Sequence, residues 1–475
     1  MRRSRPSSNT FPSTLSCVWW LPPRSIRGEA LQRKVDARAC PGNLERVRHA
    51  PIPSALFARN RRRLRELLPP GALVILNAND VLPTNADGTL RMVPNTDLFY
   101  LSGVEQEETL LVLFPDAEDE RMREMLFLRE TSELIAIWEG HKLTRPQATE
   151  VSGIATVHWT TDFPRILHRL MCEAQSVWLN TNEHKRAVVE VESRDARFIR
   201  DLRARYPLHE YRRLAPLLHT LRVVKDPLEV DLIRHACSIT RAGFERVCRF
   251  VKPGVHEYEV EAEFAHEFIR NRAQFAYNPI IGAGRNSCVL HYLDNDQVCR
   301  SGDVLLLDVA ASYANYNSDL TRTIPVNGRF TRRQRQVYDA VLRVLRASIA
   351  GLTPGKLWSQ WQAEAEDLVA RECVDLGLLK PKDLKVKVTD PSKKPVKKWF
   401  MHGNGHPIGL DVHDLGHMSR PFAPGWVMTV EPAIYIPQED LAVRLENDVL
   451  ITEKGPVDLM ADIPIEAEAI EALMR

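Results

Sequence analysis

Residues 305–326 read LLLDVAASYANYNSDLTRTIPV, two β-type runs that carry Asp308 and Asp319 on either side of a Tyr- and Asn-rich turn. A charged carboxylate in a buried apolar strand costs several kcal/mol unless a cation or an arginine lies beside it. The spacing lets two strands joined by a hairpin bring both acids to one place. Taken alone, either Asp would also suit a turn or a cap.

Downstream, the pattern repeats. The stretch 402–417, HGNGHPIGLDVHDLGH, holds His402, His406, His413 and His417, with Gly403, Gly405 and Gly409 letting the backbone pass close to a ligand. Histidines this dense are seldom only packing residues, although His417, after the Gly416 turn, reads as a bystander. In MTVEPAIYI (428–436) Glu431 again interrupts an apolar strand, and AVRLENDVLIT (442–452) places Arg444 and Glu446 two apart, on one face of a strand. Arg444 suits either the neutralisation of an acid or a substrate-facing role. A structural zinc site is disfavoured, since no cysteine and no closed four-ligand spacing is present. Asp308, Asp319, His406, Glu431 and Glu446 together make a hard, oxygen-rich set that can hold two divalent cations and activate water for hydrolysis. The chain reads as an enzyme.

At 475 residues it is too long for one ordinary core. Hydrophobic content of 44% and charged content of 27% are those of a globular protein. A formal charge of +2 gives no reason to expect nucleic acid, and no apolar run is long enough to span a bilayer. The eight cysteines form no CxxC pair and read as free thiols of a reducing, cytoplasmic setting.

Residues 1–50 read as a disordered or targeting-like extension, because Met1 to Gly28 is rich in Arg and Ser and lacks acids. A domain is expected over 51–220, with an Arg-faced helix from Ala55 to Leu68. β-type runs follow at 72–76, 98–103, 109–114, 125–128, 134–138 and 176–179, between helix-like stretches at about 118–124, 144–151, 163–173 and 194–204. Leu221 to Pro227 looks like a hinge. A second domain over 226–475 then opens with helices at 228–250 and 257–272. Strands are expected near 277–282, 289–291, 304–311 and 322–326, then helices at 334–352 and 357–376. The lysine-rich run 380–398 reads as an exposed loop or hairpin.

The segments LLLDVAASYANYNSDLTRTIPV, HGNGHPIGLDVHD, TVEPAIYI and VRLENDVLIT resemble the aminopeptidase P/prolidase branch of the M24 metallopeptidases. PNTDLFYLSGV at 94–104 resembles the N-terminal domain of the same enzymes. The resemblance implies an α+β chain, with a pita-bread catalytic domain preceded by a smaller α/β domain. It implies hydrolysis of the bond between an N-terminal residue and a following proline, the alternative being a prolidase-like dipeptidase. Two divalent ions, Mn²⁺ by preference and Co²⁺ or Zn²⁺ otherwise, would be held by Asp308, Asp319, His406, Glu431 and Glu446, with Asp319 and Glu446 bridging. A metal-bridging hydroxide would attack, with Glu431 as general base. His291, His402 and His413 would hold the substrate and intermediate, and Arg444 would sit near the bridging glutamate. Partners would be peptides with proline second, and further copies of the chain in a homodimer or homotetramer. Gly405 and Pro407 depart from the Ser/Thr and aromatic residues that relatives often carry around the ligand histidine.

Overall fold

The computed structural model describes residues 49–475, so the extension expected over 1–50 lies, but for its last two positions, outside the described residues. The first half contains helices α1 (Ser54–Arg65), α2 (Thr96–Ser102), α3 (Glu133–Glu139), α4 (Arg145–Ser152), α5 (Phe163–Glu173), α6 (Arg194–Arg205) and α7 (Ala215–Arg222). Its strands are β1 (Ala72–Asn77), β2 (Leu110–Leu113), β3 (Glu124–Leu128), β4 (Thr156–Trp159), β5 (Ser176–Leu179) and β6 (Glu210–Arg213). They form one mixed sheet in the order β4-β3-β2-β1-β5-β6, antiparallel where β1 meets β2 and β2 meets β3, parallel elsewhere. Alternate side chains go to opposite faces. Leu73, Ile75 and Val112 pack with Phe163, Ile166 and Leu170 of α5, whereas Val74, Leu76, Leu111 and Leu113 pack with Leu56 and Phe57 of α1. Burial of both faces is why β1, β2, β3 and β5 are largely apolar, while the outer strands β4 (TVHW) and β6 (EYRR) are less buried and more polar.

Two runs expected as strands are helices. Over 98–103 the chain forms α2, because the Asn95 side chain accepts from the Asp97 and Leu98 amides and Gly103, at φ 70°, closes the end. Leu98 to Ser102 are all buried, so no helical period shows in the sequence. Over 134–138 the chain forms α3, capped by Ser132, with Leu134, Ile137 and Trp138 exposed. Short apolar runs do not distinguish the two structures.

Four residues after α7, the Asp226–Glu229 capping box starts α8 (Pro227–Phe250), which packs on α9 (Glu257–Arg270). Strands β7 (Gln274–Phe275), β8 (Ile280–Ala283), β9 (Val304–Asp308), β10 (Ala311–Tyr313), β11 (Tyr316–Asn317) and β12 (Thr321–Pro325) follow, then the paired helices α10 (Arg332–Ala350) and α11 (Trp358–Asp375). The chain closes with β13 (Val427–Val430), β14 (Ala433–Ile436), β15 (Leu441–Arg444), β16 (Asn447–Thr452), β17 (Gly455–Asp458) and α12 (Ala467–Leu473). Four small antiparallel sheets result: β11-β10-β7, β12-β9-β8, β13-β16-β17 and β14-β15.

Several boundaries differ from expectation. Residues 289–291 are no strand but a turn after the 3₁₀ helix Gly284–Cys288. The runs 428–436 and 442–452 each break into two strands of different sheets, at Glu431–Pro432 and Leu445–Glu446. Arg444 and Glu446 therefore do not share the face of one strand. The lysine-rich run folds as 3₁₀ turns (Asp383–Lys385, Pro391–Lys393, Pro395–Lys398), without a hairpin.

Candidate metal centre and active site

Every acid of the expected set sits where a strand ends or is about to begin. Asp308 is the last residue of β9, opposite Thr321 of the antiparallel β12, and Asp319 comes two residues before β12. Glu431 lies in the break between β13 and β14, and Glu446 in that between β15 and β16. At these positions the backbone leaves one sheet for the next, so side chains from three sheets meet. Asp319, His406 and Glu446 each offer a ligand atom within 4.8 Å of the others. Glu431 Oε1 stands 3.8 Å from His406 Nε2, and Asp319 Oδ2 stands 3.6 Å from it.

The protonation pattern fits a cation. His406 Nδ1 lies 3.0 Å from the Pro407 carbonyl oxygen, which can only accept, so Nδ1 carries the proton and Nε2 a lone pair. Burial lowers this imidazole's pKa to about 4, keeping it neutral. A lone pair facing two carboxylates is repulsive unless positive charge stands among them. Burial, then Glu446, Asp308 and Asp448, push Asp319 well above the usual carboxylate range. Burial and then Glu446 do the same to Glu431, and burial with Asp308 raises Glu446 to about 8. Asp308 Oδ1 is buried without a hydrogen-bond partner. Divalent cations would satisfy all of these groups at once.

Behind the acids is a layer that sequence reading missed in part. Arg444 is buried and ion-pairs with Asp308 Oδ2; it also donates to Tyr435 Oη at 2.9 Å and to Thr321 Oγ1 at 3.1 Å. Thr321 Oγ1 in turn donates to Glu446 at 2.7 Å, and Tyr277 Oη donates to Asp319 Oδ1 at 2.6 Å. The Asp319 amide donates to Asp448, itself wholly buried. Tyr277 and Tyr435 sit in apolar surroundings that give no sign of their bonds. Arg186 and His184, from the first half of the chain, stand near enough to act electrostatically on His406.

The histidines separate. His402 Nδ1 donates to the Gly403 carbonyl at 2.7 Å and lies 3.7 Å from Glu431 Oε2; its Nε2 accepts from Tyr435 at 2.9 Å. Burial, then the Arg444 charge, lowers its pKa to about 3. His413 is exposed and stacks on His406, ring centroids 4.1 Å apart. His291 is exposed in its turn and acts electrostatically on His402. His417 bonds Thr220 at 3.1 Å, away from the acids, as a bystander would. Gly405 is required by contact, since a Cβ there would collide with the Thr429 carbonyl oxygen.

This site and fold are those of a metallo-exopeptidase: residues 231–453 match the model of metallopeptidase family M24, and the chain belongs to that family. Residues 57–178 match the aminopeptidase P N-terminal domain, which places the chain in the aminopeptidase P branch with its pita-bread catalytic half. The Xaa-Pro aminopeptidase of Escherichia coli K12 is 34% identical over 435 residues, 88% of this chain and 97% of that protein. The structure of Pseudomonas aeruginosa aminopeptidase PepP superposes with a TM-score of 0.81 at 30% identity, covering 89% of this chain and 98% of that one. Zinc-substituted E. coli aminopeptidase P in complex with product gives 0.79 at 33% identity, covering 90% and 99%.

Proposed function

We propose that the chain removes the N-terminal residue from peptides whose second residue is proline, using two divalent cations held by Asp308, Asp319, His406, Glu431 and Glu446. The observation that carries the reading is the convergence of Asp319, Glu431 and Glu446 on a neutral His406. When bound, the cations, Mn²⁺ by preference, would acidify water and polarise the scissile carbonyl.

The chain's own groups do the rest. Glu431, whose carboxyl burial raises well above its ordinary range, takes the proton of the attacking water. Arg444 acts as a positioning residue, fixing Asp308 directly and Glu446 through Thr321. His402, kept neutral and oriented by Tyr435, stands beside Glu431, and the exposed His291 and His413 face the substrate. The acids also attract the peptide's N-terminal ammonium, which favours exopeptidase action. Assembly as a homodimer or homotetramer and a cytoplasmic location belong to this reading. No helix among the described residues is long and apolar enough to cross a membrane.

The test is a peptide panel assayed after EDTA treatment and again with Mn²⁺, Co²⁺ or Zn²⁺ restored. Turnover of Xaa-Pro-Yaa-Zaa above that of Xaa-Pro is expected. Exclusive cleavage of the dipeptide would make the chain a prolidase instead.

A further inference from the structure

The turn that carries His402 and His406 has little of its own to hold it. Asn404 at its centre is wholly buried, yet neither polar atom of its side chain has a partner. The turn is fixed through its backbone. On one side the Glu431 amide donates to the Asn404 carbonyl at 2.9 Å and His406 exchanges bonds with Thr429. On the other side stands α11, whose Trp358 indole donates to the Gly405 carbonyl at 3.1 Å and whose Gln362 Oε1 accepts from the Asn404 amide at 2.6 Å.

Gln362 works here only in one orientation. Its amide nitrogen donates to Glu366 Oε1 at 3.0 Å, one helical turn further along α11. A backbone amide can only donate and an ionised carboxylate only accepts, so the ionised Glu366 turns the Gln362 oxygen toward Asn404. Glu366 is itself buried, and its charge needs compensation. The compensation comes from the lysine-rich segment, with Lys394 Nζ 2.8 Å from Oε2 and Lys397 Nζ 2.8 Å from Oε1. Lys397 also donates to the His402 carbonyl at 3.4 Å and lies 5.5 Å from the centre of the Phe400 ring, which packs edge-on against His402.

We propose that Glu366, gripped by Lys394 and Lys397, is a positioning residue that fixes the His402–His406 turn through Gln362. The lysine-rich segment is then a clamp on the site. No bond is made or broken within it. The inference rests on the functional reading above for its kinetic consequence, but not for its structural one.

Lys394 and Lys397 keep side-chain exposures of 32% and 17%, so replacing them opens no cavity. Gln362→Met, which leaves the Glu366–lysine pairs in place, tests the same link should the loss of both cations unfold the chain. The double variant K394M/K397M is compared with K394R/K397R and with Q362M in the full chain. Hydrogen–deuterium exchange of the segment around Asn404 is expected to speed up at least tenfold in K394M/K397M and Q362M, and to stay as in the parent in the arginine variant. Calorimetric Mn²⁺ affinity should weaken about tenfold in the same two variants, and kcat should fall about tenfold with KM held within twofold. Unchanged exchange and unchanged Mn²⁺ affinity in a folded K394M/K397M would overturn the proposal. So would a fall in melting temperature with kcat per folded enzyme intact. If the parent cleaves no Xaa-Pro peptide, the functional reading fails, and exchange at Asn404 still decides the clamp.

Discussion

Glu431 has two duties in the proposed mechanism, and one substitution tests both. It borders His406 at 3.8 Å, and burial with the Glu446 charge raises its carboxyl well above the ordinary range. Glu431→Gln keeps the shape and removes the base. It should lower kcat on an Xaa-Pro tetrapeptide by about 10³-fold, within the span of general-base effects. The metal-free variant should melt no lower than its parent, because one of several mutually repelling buried acids has gone. Activity within tenfold of the parent would remove Glu431 from the mechanism. A second residue, Asp195, gives a pH signature away from the metal centre. Burial raises its pKa to about 6, although it stands in the first turn of α6, where a negative charge is ordinarily favoured. An acid whose folded pKa is raised contributes full stability below its unfolded value of about 4, and that contribution is lost as pH rises through 6. Asp195→Asn mimics the protonated form and still accepts from Asn77. Its melting temperature should match the parent at pH 4 and exceed it at pH 7; equal temperatures at both would show that Asp195 titrates normally. Of the acids that the structure brings together, Asp308, Glu431 and Glu446 were legible in the sequence because each interrupts an apolar run, and Asp319, after a polar turn, only by its spacing from Asp308. Tyr277 and Tyr435 were not, since a tyrosine in such surroundings reads as ordinary core.

Among the elements, β1, β2, β3 and β5 were legible because burial on both faces leaves continuous β-branched and leucine runs, whereas β4 and the largely exposed β6 were not, since TVHW and EYRR hold no apolar run. The two helices read as strands failed for opposite reasons: α2 is buried on all sides and α3 exposes its apolar residues, so neither shows one polar and one apolar face. Nor does the sequence announce how α2 meets the histidine loop. Arg222, at the end of α7 and 2% exposed, donates to Thr96 and Asp97 of α2 and to Asp411 and Asp414 beside His413. Lys225 adds a bond to Asp414 at 2.9 Å. Burial alone would raise the Asp414 carboxyl, but Lys225 and Arg222 together outweigh it and hold it below its usual value. Arg222→Met would leave Asp97 and Asp411 without their cation, and should cost about 3–5 kcal/mol in urea unfolding. Arg222→Lys should recover little of this, since one ammonium with three donors replaces two guanidinium nitrogens that together serve four acceptors. A loss below about 1 kcal/mol would mean that the network adds nothing net to the fold.

In the whole molecule, the packing on the α1 face of the first sheet runs without a break into the catalytic half, where Ile233 and Phe244 of α8 join the cluster that contains Leu56 and Val74, while the α5 face keeps a core of its own. The candidate metal centre is a second, polar junction. Asp308 and Asp319 flank β9 and β12, Glu431 separates β13 from β14, and Glu446 separates β15 from β16, so the acids draw three separate sheets toward one point. Folding alone must hold those carboxylates together against their repulsion, whereas bound cations turn the repulsion into a tie. Metal should therefore act as a structural ligand as well as a catalytic one. At about a hundredfold excess over Kd, a cation that binds only the folded state adds about 2.7 kcal/mol. EDTA-stripped protein titrated with Mn²⁺ should accordingly gain several degrees in melting temperature, while Asp319→Asn, which removes one of the three converging ligands, should lose most of that gain and remain folded. Protein whose melting temperature ignores Mn²⁺, Co²⁺ and Zn²⁺ alike would show that these acids do not hold a divalent cation, and that some other positive group balances them.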